Sequence, residues 1–129
     1  MQYYFSKTLT NVSFDEAVAK VTEELKKEGF GVISEINLHE KFKEKLDIDF
    51  RKYRILGACN PASAFKALQQ EDKIGTMLPC NVIVQQLSDA QIEVAAVDPV
   101  ASMQAIENAN LAAIANEIRS KLEKVIENI

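Results

Sequence analysis

From Tyr53 to Val84 the residues alternate as a strand would, stop at Asn60-Pro61, pass through a short helical pattern and a turn at Gly75, and alternate again after Leu78-Pro79-Cys80. Asn60 is a strong helix N-cap, and Pro61 takes a first-turn position whose N–H has no helical partner in any case. Asp98-Pro99 repeats the device at the end of a later strand. Strands that stop at a cap-proline pair and resume after a brief excursion favour antiparallel neighbours over the long crossovers of a parallel sheet. The fold class that follows is α+β.

The flanking segments complete that frame. Tyr3–Leu9, aromatic and β-branched, reads as a first strand. Ser13 and Glu16 form a capping box, Phe14, Ala17, Val18, Val21 and Leu25 recur at helical spacing, and Gly29 supplies a left-handed terminator. Ser13–Glu28 is therefore a helix. Phe30, Val32, Ile36 and Leu38 are expected on one face of a second strand. In the charged stretch His39–Asp49, Phe42 and Leu46 pin a turn or two of helix, and the rest is expected to be a mobile excursion. Lys52–Cys59 is the third strand, with Tyr53, Ile55, Gly57 and Cys59 on one face and Arg54, Leu56 and Ala58 on the other. Ala64, Phe65 and Leu68 are the expected buried side of the helix after Pro61. Asn81–Leu87 and Gln91–Val97 form a hairpin through Ser88-Asp89-Ala90, with Val82 and Val84 inward. Leu111, Ile114, Ile118, Leu122, Val125 and Ile129 mark a long amphipathic final helix, with Glu117, Arg119, Lys121 and Glu123 facing away. The order is strand, helix, four strands with small helical insertions, helix.

A chain of 129 residues suits one domain, residues 1–129, that buries a core without staples. Its net charge of −4 disfavours nucleic acid or an anionic membrane surface as partner. No apolar run is long enough to span a bilayer. Two cysteines, and a start without a basic-then-apolar leader, fit a reducing cytoplasmic setting. There is no glycine-rich phosphate loop and no metal-finger spacing of Cys and His.

Gly29-Phe30-Gly31-Val32, Tyr53-Arg54-Ile55-Leu56-Gly57-Ala58-Cys59-Asn60-Pro61, Leu78-Pro79-Cys80 and Asp98-Pro99 occur in an order that resembles the domain of unknown function family 302. The resemblance covers nearly the whole chain, and the Cys-Asn-Pro and Leu-Pro-Cys pair carries most of its specificity. Members are small bacterial and archaeal proteins. The resemblance implies a TATA-box-binding-protein-like fold, a curved antiparallel five-stranded sheet packed by helices, and it implies a homodimer. It implies no activity and names no cofactor.

Both cysteines fall at strand ends beside capping residues. A thiol before a helix start can have its thiolate stabilised by the free N–H groups there. The plainer reading of Cys59 is a small buried hydrophobe on the core face with Ile55 and Gly57. If the third and fourth strands are neighbours, Cys59 approaches Cys80, a pairing suited to reversible disulfide chemistry or to half of a soft-metal site. His39, the sole histidine, lies on a different stretch, so no metal set is complete. Cys59, Asn60, Cys80, Asn81 and Asp98 are the candidate ligand-binding residues. The readings that follow are a small polar ligand or soft metal at these strand ends, a thiol-dependent redox or transfer enzyme using Cys59, and a structural or interaction domain with both thiols packed. Capping alone accounts for Asn60 and Asp98, and the mixed charges of Lys41–Arg54 read as a solvated face.

Overall fold

The chain runs β1 (Tyr4–Thr10), α1 (Phe14–Lys27), β2 (Gly31–Asn37), α2 (Leu38–Leu46), β3 (Tyr53–Cys59), α3 (Pro61–Gln70), a 3-10 helix (Asp72–Met77), β4 (Cys80–Ser88), β5 (Gln91–Val97), α4 (Pro99–Ser102) and α5 (Ala109–Asn128). These elements come from a computed structural model that describes residues 2–129. Met1, with which the expected domain and the leaderless start begin, lies outside the described residues. The strands form a five-stranded sheet in the order β1-β5-β4-β3-β2, and every neighbouring pair is antiparallel. β1 and β2 are thus its two margins, and α1 carries the chain from one to the other.

Local chemistry explains the helix ends. Ser13 Oγ accepts the Glu16 N–H at 3.0 Å. At the other end of α1, Gly29 has φ of +86°. Its N–H donates to the Lys26 carbonyl and that of Phe30 to the Leu25 carbonyl, the paired bonds of a Schellman stop. Lys7 Nζ donates to the Glu127 and Ile129 carbonyls at 3.1 and 2.7 Å, placing a cation where α5 presents free carbonyls.

One face of the sheet packs against α1 and α5. Leu56, Val82, Val84, Ile92 and Val94 meet Val21, Leu25, Leu122 and Val125 there, all of them buried. A smaller cluster of Ala67, Ile74 and Leu111 joins α3 and the 3-10 helix to α5. The other face is open over β4 and β5. Among the described residues, no helix is long and apolar enough to cross a membrane.

Several expected faces are different in the fold. A bulge between Val32 and Ser34 shifts the β2 register, so Val32 pairs with Ala58 on the core face while Ile36 pairs with Ile55 on the open one. One extra residue reverses every side chain beyond it. In β3 the core side is Leu56 and Ala58, and Cys59 is half-buried rather than a core residue. On α3 the buried residues are Ser63 and Ala67, while Phe65 is 64% exposed. Small residues let that helix sit close to α5, and the larger ones are left outside. The charged stretch after β2 is a nine-residue helix, tied down by an edge-on contact between Phe42 and Phe50 with ring centroids 5.2 Å apart. Leu46 points to solvent.

Arg119 does not face away from the protein. Its Nε donates to Asp98 Oδ2 at 3.0 Å, and its guanidinium lies 5.2 Å from the centre of the Phe5 ring.

Candidate functional site

The five residues that the sequence singled out divide among three environments. In the sheet, Ala58 pairs with Cys80 and Gly57 with Asn81. Cys59 is therefore one residue out of register with Cys80. Both thiols are free. They border a cavity of about 40 Å³ between the β3 and β4 ends, α3 and α5, whose lining includes Phe30, Ala67, Leu111 and Ile118. Its walls are almost wholly apolar. Burial, with Cys59 adding a smaller effect, pushes the Cys80 thiol up to about 11. At neutral pH Cys80 is thus a protonated thiol, and a protonated thiol is neither a good nucleophile nor a good metal ligand.

Asn60 is spent on structure. Its Oδ1 accepts the Ser63 N–H at 3.3 Å and its Nδ2 donates to the Glu28 carbonyl at 3.4 Å, tying the end of α1 to the start of α3. Asp98 is buried. One carboxylate oxygen accepts the Val100 N–H at 3.0 Å and the other holds Arg119. His39 Nδ1 accepts the Tyr53 N–H at 3.0 Å, at the opposite end of β3 from Cys59. Six strand steps separate those ends by roughly 20 Å, so a Cys59–His39 pair does not form within this chain. Among the described residues, no three His, Cys, Asp or Glu side chains converge to hold a metal ion.

Asn81 alone of the five lies on the open face, where a larger concavity occurs. It is a trough of about 390 Å³ lined by Tyr3, Tyr4, Tyr53, Ile83, Gln85, Glu93, Ala95 and Val97 together with Asn81. Pairing across the strands explains its shape. Thr8, Glu93, Gln85 and Tyr53 form a polar row across four strands. The adjacent row is Ser6, Ala95, Ile83, Ile55 and Ile36. Ala95, small and central, lowers the floor, while Tyr53 and the edge-on pair Tyr3–Tyr4, centroids 5.1 Å apart, raise the walls.

Gln85 bridges two charged groups. Arg51 Nε donates to its Oε1 at 2.8 Å, and its Nε2 donates to Glu93 Oε1 at 2.7 Å. Burial pushes the Tyr53 phenol up; Arg51 opposes the shift, and Glu93 and then Tyr3 add to it. Sequence reasoning missed Tyr3, Tyr53, Gln85 and Glu93 as a group. The available signal was the set of non-core positions on β3, β4 and β5, but only the register shows that they meet.

A five-stranded antiparallel sheet, covered by helices on one side and carrying a tyrosine-walled trough on the other, defines an open-faced α+β domain. The family model described as "Domain of unknown function DUF302" matches residues 5–129, and the chain belongs to that family. A crystal structure of an uncharacterized conserved protein DUF302 from Bacillus stearothermophilus is similar, with a TM-score of 0.89 and 26% identity over 99% of this chain and 98% of that one. No curated protein matches the chain.

Proposed function

We propose that this domain binds a small organic molecule in the trough on the open face of its sheet, and that it does so without catalysing a reaction. The trough itself carries the reading. Its volume lies in the range typical of small-molecule sites, about 300–1,000 Å³, and it combines an apolar floor with a few convergent polar groups. The net charge of −4 and the Glu93 carboxylate speak against a phosphate-rich partner. Screening a library of small fragments by amide NMR tests the proposal. Saturable shifts are expected at Tyr53, Ile83 and Ala95, and Ala95→Phe, which fills the floor, should abolish them. Hits that move only residues of α3 and α5 would put the site elsewhere.

A second reading keeps the ligand at the cysteines, because Cys59, Asn60 and Cys80 border one cavity. Its apolar walls suit a small apolar group rather than the polar ligand or soft metal expected from sequence. Loss of reactivity toward a small alkylating agent in the presence of such a compound would support it. Unreactive thiols throughout would leave Cys59 and Cys80 as packing, and the thiol-enzyme reading would go with them.

The proposed assembly is a homodimer of this one domain in a reducing, cytoplasmic setting. Support comes from the family resemblance, the two free thiols and the marginal strands β1 and β2, whose unpaired edges favour pairing or cover. Light scattering should give twice the chain mass, and a monomer mass at micromolar concentration would end the idea.

A further inference from the structure

The trough's charge is one-sided. Glu93 is half-buried in its wall and forms no ion pair among the described residues. Gln85 prevents the obvious one. Its amide oxygen is occupied by Arg51 and its amide nitrogen by Glu93, so the guanidinium and the carboxylate are held an amide apart. Arg51 instead lies over the Phe50 ring, 4.3 Å from its centre and 5.9 Å from the centre of the Tyr53 ring, and is itself outside the trough lining. Fixing the amide at both ends also fixes the carboxylate, because Gln85 can present only its N–H₂ group to Glu93.

The surroundings of that carboxylate are aromatic. Tyr53, already faced by Arg51, lies in the same row beyond Gln85, and Tyr3 and Tyr4 form the far wall, which no protein cation among the described residues lines. Phenol rings attract cations to their faces, and the attraction grows as the cation loses water. Between the carboxylate and the far wall runs the apolar floor of Ala95, Ile83 and Val97. A molecule that satisfies all three features carries positive charge at one end and an apolar body behind it. An anion would meet Glu93, and a neutral molecule would leave that carboxylate partly desolvated with nothing to offset the loss.

We propose that the trough is a site for organic cations, alkyl- or arylammonium compounds, with Glu93 as counter-ion and the body on the Ala95–Ile83 floor between the tyrosines. This rests on the trough being the ligand site, and the experiment separates the two claims. The full chain is titrated with 2-phenylethylammonium, with neutral 2-phenylethanol and with the 3-phenylpropanoate anion, and amide shifts at Tyr53, Ile83, Ala95 and Val97 are followed. The ammonium compound is expected to bind saturably and at least tenfold more tightly than the alcohol, with the anion weakest. Glu93→Gln, with an otherwise unchanged spectrum, should abolish the preference for the ammonium compound over the alcohol. Equal binding of ammonium and alcohol to the wild-type chain would overturn the cation assignment while leaving the trough a ligand site. No saturable shift with any of the three would overturn both. The comparison of probes on the unaltered protein does not depend on the variant folding.

Discussion

The two faces of the sheet are built from the same strands and do opposite things. Toward α1 and α5 they present Leu56, Val82, Val84, Ile92 and Val94, all at most 1% exposed. On the other face the next residues along include Ile83, Gln85, Glu93 and Ala95, which line a hollow. The dry face supplies stability through burial and close packing. The open face has the variety of charge, ring and amide that recognition needs. Neighbouring residues in sequence therefore make unequal contributions, and substitutions at adjacent positions are the direct way to measure the difference.

The largest contrast is expected between Leu56→Ala and Ile55→Ala. Leu56 is fully buried, and truncating such a side chain typically costs about 2–5 kcal/mol. Ile55 lies on the open face and should cost markedly less. Urea unfolding of both variants checks this, and equal losses would mean that the open face is covered in solution.

The dry face should also respond to alkaline pH through Cys80. An unfolded thiol titrates near 9.0, whereas the folded one is raised to about 11. The folded state retains the proton while the unfolded chain gives it up, so this contribution is whole below pH 9 and is lost as pH rises toward 11. A rise from 9.0 to about 11 corresponds to roughly 2–3 kcal/mol. Cys80→Ala should flatten part of the stability curve in that window. Tyr53, also shifted upward, leaves a residual slope of the same sign. An unchanged curve would show that Cys80 is not buried in a dry environment.

Arg119→Ala is expected to come next. It removes the partner of a buried carboxylate, and leaving such a group short of a hydrogen bond typically costs about 1–3 kcal/mol. Chemical denaturation measures it. A change within 0.5 kcal/mol, the usual range for surface substitutions, would mean that the Asp98–Arg119 contact is solvated rather than structural.

Phe65→Ser should have the smallest effect, within about 0.5 kcal/mol, because the ring is 64% exposed on α3. A larger loss by thermal unfolding would return Phe65 to the buried side that helical periodicity suggested.

Gly57 shows how close packing at one point constrains the sheet. A Cβ there would collide with Ser34 Oγ and lie 2.8 Å from Pro79 Cγ. Nothing in Leu56-Gly57-Ala58 announces this, since the contacts come from β2 and from the residue before β4.

The sequence alone determined the order of the five strands and the helices α1, α3 and α5, because those depend on short-range chemistry, whereas the extent of α2 was not legible. Ser13 with Glu16, Gly29, Asn60-Pro61 and Asp98-Pro99 act within a few residues of themselves, and the periods of two and 3.6 are properties of single segments. The family motifs were equally legible. The buried sides of α1, β4 and α5 were legible in their periods, whereas the tertiary structure alone decided which side mattered in β2 and α3. The bulge after Val32 moved Ile36 to the open face, and the docking of α3 chose Ala67 over Phe65. Asp98 found Arg119 across 21 residues. The trough is the extreme case, since Tyr4, Tyr53, Gln85 and Glu93 come from four different strands. Their meeting depends on register, and register is set by pairing between distant segments that no local pattern contains.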